Sequence, residues 1–523
     1  MEKTLSSTPT VRAIPFAISQ SDRQTNETMA KLRKLIFSRL KKFLFCLFVF
    51  LHHSLLYGQK VTLTLSDKFN LPNGASTLKL GNNFYCLDNN SGAVHLRKYD
   101  ENMKELKNVK PELDKKSFNA YTGSLLSFGG KLLFAYFRNT LDSAKLYLAE
   151  MGTENLEVIK NNLLFSIAQK TGTFSVGTTP YVFDLRFAVN PGKTKMLIAY
   201  DAQKQLCSCV IDQDLNATDI SMAALPWPVF SLERVSMDNT GNRYFSYQYD
   251  QGKSLEKGIL IVNNIGKESF IPFNTLSTHK VKTLKFANAA DNSKTYIYSN
   301  YYDDNLMEGV MFSTIDAQAM KINTPAFIPY PDDVKKQLVD LSFGESNKGH
   351  YSVSPADFDL VENDAGAILL IGQAASTTNS SFSNGRSEVL NVITRKGPVI
   401  GVFINGEKNN FVIIPRKDIN GERAECMAVN YKSNFICVYT EVEKNFPGET
   451  RGDNFILADA VFDSNGSIMS QKKLDPVPQD NLRLRLFSRE LGDGNFIFPV
   501  TKSSMGLGAP TTNQVRWAYL KIE

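Results

Sequence analysis

The pattern of apolar and polar positions repeats eight times along this chain. In each copy, a turn rich in Gly, Asn or Asp precedes a short run of aromatic and aliphatic residues, and a second apolar run follows. Glycine and asparagine tolerate the positive φ angles of tight turns, so each copy predicts a β-hairpin. The leading runs are residues 84–87, 132–136, 196–200, 244–247, 296–299, 368–371, 435–438 and 496–498.

The spacing of these copies predicts the architecture. Successive leading runs start 48 to 72 residues apart, which fits a four-stranded propeller blade with variable loops. We therefore predict an all-β protein, a β-propeller in which eight blades are favoured and seven are the main alternative. The uneven spacing indicates a structural repeat rather than a recent duplication.

The two ends of the repeat region are incomplete in complementary ways. Residues 61–65 alternate as a strand does and precede the first full unit, whereas the eighth unit ends at Glu523 with three strands available. We predict that the N-terminal strand completes the last blade and closes the ring. Closure removes exposed sheet edges, and its cost in loop entropy is modest.

One segment departs from the strand pattern. Pro331 and two acidic residues precede Val334, Leu338 and Leu341, which follow one another at helical spacing. Proline and acidic residues favour the first turn of a helix. The pattern predicts one short amphipathic helix over residues 331–341, inserted between two blades.

The N-terminal residues 1–58 have the anatomy of an extension followed by a signal peptide. After Met29, a basic stretch precedes an apolar run at residues 43–57, and Gly58 supplies a small residue for cleavage. The apolar run is shorter than the roughly 20 residues that a membrane span needs. We predict cleavage of this leader, whether translation starts at Met1 or at Met29. The mature chain would then be a single propeller domain of residues 59–523, secreted, periplasmic or at the cell envelope; an uncleaved membrane anchor is the alternative.

The net charge of +6 belongs to the leader and not to the body of the chain. Residues 1–58 contain nine basic and three acidic residues, which leaves 50 of each kind in the remainder. A nucleic-acid-binding protein needs a basic surface. The charge therefore gives no support to a nucleic-acid partner, and it leaves the membrane as a partner only through an uncleaved leader.

The predicted mature chain retains five cysteines, and an odd number is not a disulfide framework. Cys426 and Cys437 lie in successive predicted strands around a turn, so a cross-strand disulfide between them is one reading. Cys207 and Cys209 are two residues apart in a predicted strand and share a face. For most of the cysteines, burial as small apolar side chains is the better interpretation.

The sequence predicts no metal site and no cofactor. The three histidines of the predicted mature chain lie in separate predicted blades and lack the spacing of a zinc site. Residues 212–216 are similar to the start of a calcium loop, but Ala217 and Ala223 stand where its glycine and glutamate would be. A β-turn is therefore the better interpretation of this segment.

Loop length distinguishes one face of the predicted ring. All loops that join the second strand of a blade to its third open on the same face. These loops are short in the first blades, intermediate at residues 300–308, and long at residues 376–386, 443–453 and 501–512. Binding residues concentrate in loops on a rigid scaffold, and aromatic rings with polar neighbours suit peptides and glycans. The candidate ligand-binding residues of this rim are Tyr301, Tyr302, Asp303, Asp304, Phe382, Arg386, Phe446, Arg451, Asp453 and Lys502.

The layout of residues 60–523 is similar to that of uncharacterised propeller-repeat proteins exported by Gram-negative bacteria. This resemblance rests on the repeat pattern, with no WD dipeptide and no kelch-like double-glycine pattern, and it brings no catalytic residue with it. We predict a non-catalytic binding or scaffold module for a protein or glycan. The first alternative is a propeller enzyme, a glycan or peptide hydrolase or lyase with carboxylates at the central channel. The second is a membrane-anchored adhesin.

Overall fold

The computed structural model describes most of the chain from Val61 onward. The described residues are 61–65, 69–70, 76–90, 93–113, 123–139, 143–168, 185–202, 205–227, 229–252, 254–277, 279–289, 291–303, 306–343, 352–354, 358–383, 388–406, 408–415, 426–442, 455–474, 482–484, 489–492, 495–502 and 514–522. Residues 61–522 belong to one compact unit. The predictions for residues 1–58 lie outside the described residues.

These residues form eight antiparallel sheets, numbered 1 to 8 in the chain order of their central hairpins. Sheet 8 begins with the two N-terminal strands, β1 (Val61–Leu65) and β2 (Phe69–Asn70). The other strands are, in sheet 1, β3 (Ser76–Leu80), β4 (Asn83–Asn90), β5 (Ala93–Tyr99) and β6 (Glu105–Val109); in sheet 2, β7 (Gly123–Phe128), β8 (Lys131–Asn139), β9 (Ser143–Met151) and β10 (Val158–Ala168); in sheet 3, β11 (Arg186–Val189), β12 (Met196–Ala202), β13 (Gln205–Ile211) and β14 (Ala217–Ala224); in sheet 4, β15 (Val229–Met237), β16 (Arg243–Asp250), β17 (Leu255–Val262) and β18 (Glu268–Pro272); in sheet 5, β19 (Lys280–Val281), β20 (Lys285–Asn288), β21 (Thr295–Asp303), β22 (Leu306–Asp316), β23 (Lys321–Ile322) and β24 (Ala326–Pro329); in sheet 6, β25 (Ser352–Ser354), β26 (Asp359–Glu362), β27 (Ile368–Ser383), β28 (Glu388–Asn405) and β29 (Lys408–Ile414); in sheet 7, β30 (Cys426–Tyr431), β31 (Asn434–Val442), β32 (Phe455–Phe462) and β33 (Ile468–Leu474); and in sheet 8, β34 (Leu482–Leu484), β35 (Arg489–Gly492), β36 (Asn495–Lys502) and β37 (Gln514–Ile522).

Each sheet has four strand positions, and the predicted hairpins occupy the second and third of them in all eight sheets. The first strands of neighbouring sheets contact one another, for example β11 with β15 and β15 with β20, which makes them the inner strands. The middle strands are the most apolar because both of their faces are covered. Six successive residues of β13 are buried, whereas the outer strand β14 alternates and is mostly exposed.

The N-terminal strand closes the last sheet, as the incomplete end units predict. β1 and β2 both pair with β37 and take the outer position of sheet 8. Sheet 8 also meets sheet 1, since the Lys79 ammonium donates to the Tyr519 hydroxyl at 3.2 Å and the Phe84 and Tyr519 rings lie 4.8 Å apart. Both ends of the described chain are therefore fixed in one sheet.

The aspartates that recur at the ends of third strands form turns. Oδ1 of Asp212 accepts the backbone N–H groups of Asp214 at 3.0 Å and Asn216 at 2.8 Å, and Leu215 between them has a φ of 65°. Asp100 and Asp463 make the same pair of bonds in their own turns. A short carboxylate that bonds the backbone two and four residues on stabilises such a turn. Both oxygens of Asp212 are engaged within the turn.

The inserted helix is present and runs over Asp332–Phe343 as α1, close to the predicted 331–341. Val334 and Leu338 are buried and pack in one cluster with Tyr330 and residues of sheets 5 and 6. Lys335 forms an ion pair with Glu308 of β22. The helix therefore covers the contact between two sheets with its apolar face, which is what its spacing indicates. A three-residue 3-10 helix, Phe273–Thr275, also lies in the chain.

The core lies between neighbouring sheets and includes four buried cysteines. Cys207 and Cys209 share one face of β13, as predicted, in the cluster between sheets 2 and 3. Cys426 and Cys437 are free cysteines, so the considered disulfide between them is absent from the structure. The register explains this, because Cys437 lies opposite Ala428 while Cys426 lies opposite Tyr439.

Candidate functional site

The structure brings only part of the predicted rim into view. Tyr301, Tyr302 and Asp303 are the last residues of β21, and Phe382 and Lys502 lie near the ends of β27 and β36. The connection at residues 300–308 is therefore not an intermediate loop, since β21 and β22 continue to Asp303 and from Leu306. The remaining rim residues lie outside the described part of the chain: Asp304, Arg386, Phe446, Arg451 and Asp453.

Tyr301 is a core residue, which corrects its prediction as a rim residue. Its side chain is only 5% exposed. It lies opposite Gly309, where an added Cβ would meet the Tyr301 ring at 2.7 Å. Phe327 meets the ring edge-on at 5.2 Å between centroids. The absence of a side chain at Gly309 lets the tyrosine ring fold across the sheet, so it does not project towards a ligand.

A cleft lies close to the rim, where the inner strand of sheet 5 is interrupted. Lys280 pairs with Tyr302, and the chain then leaves the ladder between β19 and β20. The backbone N–H of Lys282 donates to the Asn300 carbonyl at 3.2 Å. The interruption leaves a small, open cleft. Its described lining consists of Lys282, Thr283, Lys285, Tyr298, Ser299, Asn300 and Phe358.

The floor of this cleft is held rigidly. Phe358 is buried and occupies the space beside Gly372, where an added Cβ would meet its ring at 2.6 Å. Tyr298 is buried in the ladder of β21. The Lys285 ammonium donates to Oδ1 of Asp359 on β26 at 2.9 Å, which joins sheets 5 and 6 beside the cleft. A polar group that entered the cleft would thus meet side chains that are already positioned.

The neighbouring inner strands contain a second group of charged side chains. Glu233 lies at a register irregularity in β15 and forms an ion pair with Lys257. Arg186 of β11 donates from Nε to the carbonyl oxygens of Leu232 at 3.2 Å and Glu233 at 3.1 Å. Arg186 therefore satisfies backbone acceptors on the next inner strand and links sheets 3 and 4.

Among the described residues, a carboxyl group with a raised pKa lies elsewhere. Burial raises the pKa of Asp459 to about 6, and Lys472 opposes that shift. Asp459 is on β32, the third strand of sheet 7, and is fully buried there, whereas Glu233 and Asp359 are on inner strands. In the described part of the chain, no His, Cys, Asp and Glu side chains group as metal ligands. No helix among the described residues is long and apolar enough to cross a membrane.

The comparison with known proteins found similar solved structures at low sequence identity. No protein-family model matches the chain, and no curated protein matches it. The Dos1 propeller is similar at 11% identity over 87% of this chain and 94% of its own, with a TM-score of 0.44. The WD40 domain of SCAP from fission yeast is similar at 9% identity over 88% of this chain and 98% of its own, with a TM-score of 0.42. The polysaccharide lyase Uly1 is similar at 11% identity over 78% of this chain and 93% of its own, with a TM-score of 0.40.

The cleft residues were not among the sequence predictions, although a signal for them exists. The cleft lies beside the first strand of a sheet, whereas the predicted rim depends on loops between second and third strands. Lys280, Lys282 and Lys285 fall within six residues that otherwise contain Val281, Thr283 and Leu284. Three lysines so close together are unusual beside a buried core, and they are the feature that could have identified the site.

Proposed function

We propose that this chain is an exported β-propeller that binds a protein or glycan without converting it. The observation that carries the proposal is the cleft between the inner strand of sheet 5 and Phe358. Its lining combines two lysines with neutral hydrogen-bonding groups and two buried aromatic residues. Concave sites with a few convergent polar groups on an apolar base are typical of ligand recognition.

The charged groups nearby favour binding over acid–base chemistry. Glu233 and Asp359, acidic residues of the described inner strands, each form an ion pair with a lysine. A glycosidase-type mechanism needs one carboxyl group that can donate a proton. These two carboxylates suit the support of a binding surface better than the role of a general acid.

Binding without conversion can be tested on the purified chain with an array of neutral and acidic oligosaccharides and a matched array of synthetic peptides. We expect retention of at least one class of probe. Mass spectrometry after long incubation should recover that probe with unchanged mass. Shortened or unsaturated fragments would instead establish the enzyme alternative, and no retention on either array would contradict the proposed function.

Export can be tested by N-terminal sequencing of the protein produced in a Gram-negative host. We expect a mature chain that begins at Gln59 and is recovered from the periplasm or the medium. The basic stretch and apolar run of residues 31–57 support this expectation. A membrane-bound chain that retains residues 43–57 would replace it with the anchored alternative. As a control, replacement of Gly58 by a bulky residue should slow processing.

A further inference from the structure

The central hairpin of sheet 6 extends beyond its sheet as a two-stranded arm. Its strands β27 and β28 are the longest that the structure describes, with 16 and 18 residues. β29 covers the outer side of β28 only from Val399 onward. We name the paired residues 375–383 and 388–396 the sheet 6 arm. Nine residues pair on each strand, and a ladder of this length extends roughly 30 Å.

The base of the arm is fixed to sheet 6. A register irregularity lies there, between the pair of Gln373 with Val399 and the pair of Ala375 with Lys396. Gln373 is buried, and its Nε2 donates to the carbonyl oxygen of Gly397 at 3.2 Å. A bulge of this kind bends the strands that contain it. The arm therefore leaves the sheet in a direction that buried contacts determine.

The two edges of the arm differ in cover and in composition. β25 pairs with residues 375–377 of β27, whereas none of the described strands pairs with the outer side of residues 388–398 of β28. Residues 376–383 are serine, threonine and asparagine apart from one phenylalanine, but β28 contains Val389, Leu390, Val392 and Ile393. An open edge with this composition is a template for another strand, and a two-stranded ribbon is marginally stable alone.

We propose that the open edge of β28 pairs with the same edge of a second copy of this chain. The two strands would run antiparallel across a two-fold axis, which gives a four-stranded sheet in the order β27, β28, β28, β27. The two apolar strands then lie in the middle and the two polar strands outside, as in the propeller sheet of β13 and β14. Two-fold dimers with one self-complementary contact are the commonest soluble oligomers.

The charges of β28 favour a second copy over a strand of another protein. In a two-fold antiparallel pair, residues at equal distances on either side of the axis lie opposite one another on one face. With Val392 on the axis, Glu388 lies opposite Lys396 of the second copy, and the same pair recurs at the other end. Within the arm, Glu388 lies opposite Ser383 and Lys396 opposite Ala375. Opposite charges across two strands are stabilising and like charges are destabilising.

Sedimentation velocity of the purified protein tests this pairing. Wild type should sediment as a dimer at about 50 μM and dissociate on dilution. Glu388→Lys and Lys396→Glu should each weaken dimerisation by about tenfold, because each replaces two opposite-charge pairs with two like-charge pairs. An equimolar mixture of the two variants should dimerise like wild type, because both pairs of the mixed dimer have opposite charges. Glu101→Lys reverses an exposed charge in the turn between β5 and β6 and should also dimerise like wild type.

Three results would overturn the proposal. A monomer at that concentration would leave the open edge of β28 to a strand of another protein. A dimer that neither charge reversal weakens would have its contact elsewhere on the molecule. A mixture that stays as weak as the single variants would mean that the reversals act within one chain. Loss of the dimer in each variant and its return in the mixture, with unchanged melting temperatures, supports the pairing.

Discussion

Replacement of Asp219 by Asn is expected to lower the free energy of unfolding by about 3 kcal/mol, because it removes the carboxylate that forms an ion pair with a buried arginine. Arg243 on β16 has a side chain that is 1% exposed, and its Nη2 lies 2.8 Å from Oδ2 of Asp219 on β14. Its Nε and Nη1 are buried without a hydrogen-bond partner. Burial lowers the pKa of the Arg243 guanidinium, and Asp219 opposes that shift.

The interpretation depends on comparison with two further variants. Arg243→Met keeps most of the side-chain volume and removes the charge, so its cost should be smaller than that of Asp219→Asn. In the Arg243→Met background, Asp219→Asn should cost almost nothing, since no buried charge remains to be paired. Asp214→Asn, in the exposed turn before β14, serves as the control and should stay within about 0.5 kcal/mol of wild type.

Urea denaturation followed by tryptophan fluorescence measures these differences close to the site. Trp227 stacks on Tyr249 of sheet 4 with ring centroids 4.8 Å apart, and Arg243 belongs to the same sheet. Because Asp219 has a side chain that is 45% exposed, water can replace part of its contribution. Equal costs of Asp219→Asn in the wild-type and Arg243→Met backgrounds would show that the two residues are not coupled.

The middle strands of each sheet could be predicted from the sequence because strands that are buried on both faces are continuous apolar runs. The hairpin of β12 and β13 reads as two apolar runs, and its residues are buried almost throughout. Outer strands such as β33 are largely exposed, so their pattern of apolar residues is weak. The outer strand of sheet 8 could be predicted only because the first and last repeat units are incomplete. The inserted helix was predictable because its spacing of apolar residues differs from that of every strand around it.

The candidate site was harder to predict because it depends on register and not on composition. Tyr301 and Tyr302 are adjacent in sequence, but a register irregularity between them leaves one in the core and the other half-buried. The cleft exists because the first strand of sheet 5 leaves its ladder for a few residues. Neither the register irregularity nor the strand interruption leaves a sequence pattern as clear as an apolar run. A shift of one residue in strand register reverses which side chains are exposed.

A second large effect concerns pH and Asp459. This carboxyl group on β32 is fully buried. The Lys472 ammonium on β33 lies 3.6 Å from Oδ2 and is partly exposed, and β34 of sheet 8 packs against β32. Burial disfavours the charged form more strongly than Lys472 favours it, which is why the pKa of Asp459 rises from 3.8 to about 6.

The direction of the pH effect follows from proton binding. Between pH 3.8 and about 6, the folded protein holds a proton on Asp459 that the unfolded chain has already released. The contribution of this group to stability is therefore greatest at low pH, falls as the pH rises through that window, and is lost above it. A shift of this size corresponds to about 3 kcal/mol over the window.

Asp459→Asn should remove this pH dependence, because the amide does not titrate. We expect the variant to be more stable than wild type by about 1 to 3 kcal/mol at pH 8, where wild type holds a buried charge, and to differ little from it near pH 4. Other carboxylates, such as Asp238, have a lowered pKa, and their effect on stability has the opposite sign. Their effect is the same in wild type and variant, so subtracting one curve of stability against pH from the other leaves the contribution of Asp459. Lys472→Met should enlarge the loss above pH 6, because the ammonium opposes the shift. A difference curve that is flat from pH 4 to pH 8 would mean that Asp459 is solvated in solution, and the seam between sheets 7 and 8 would then be more open than its packing indicates.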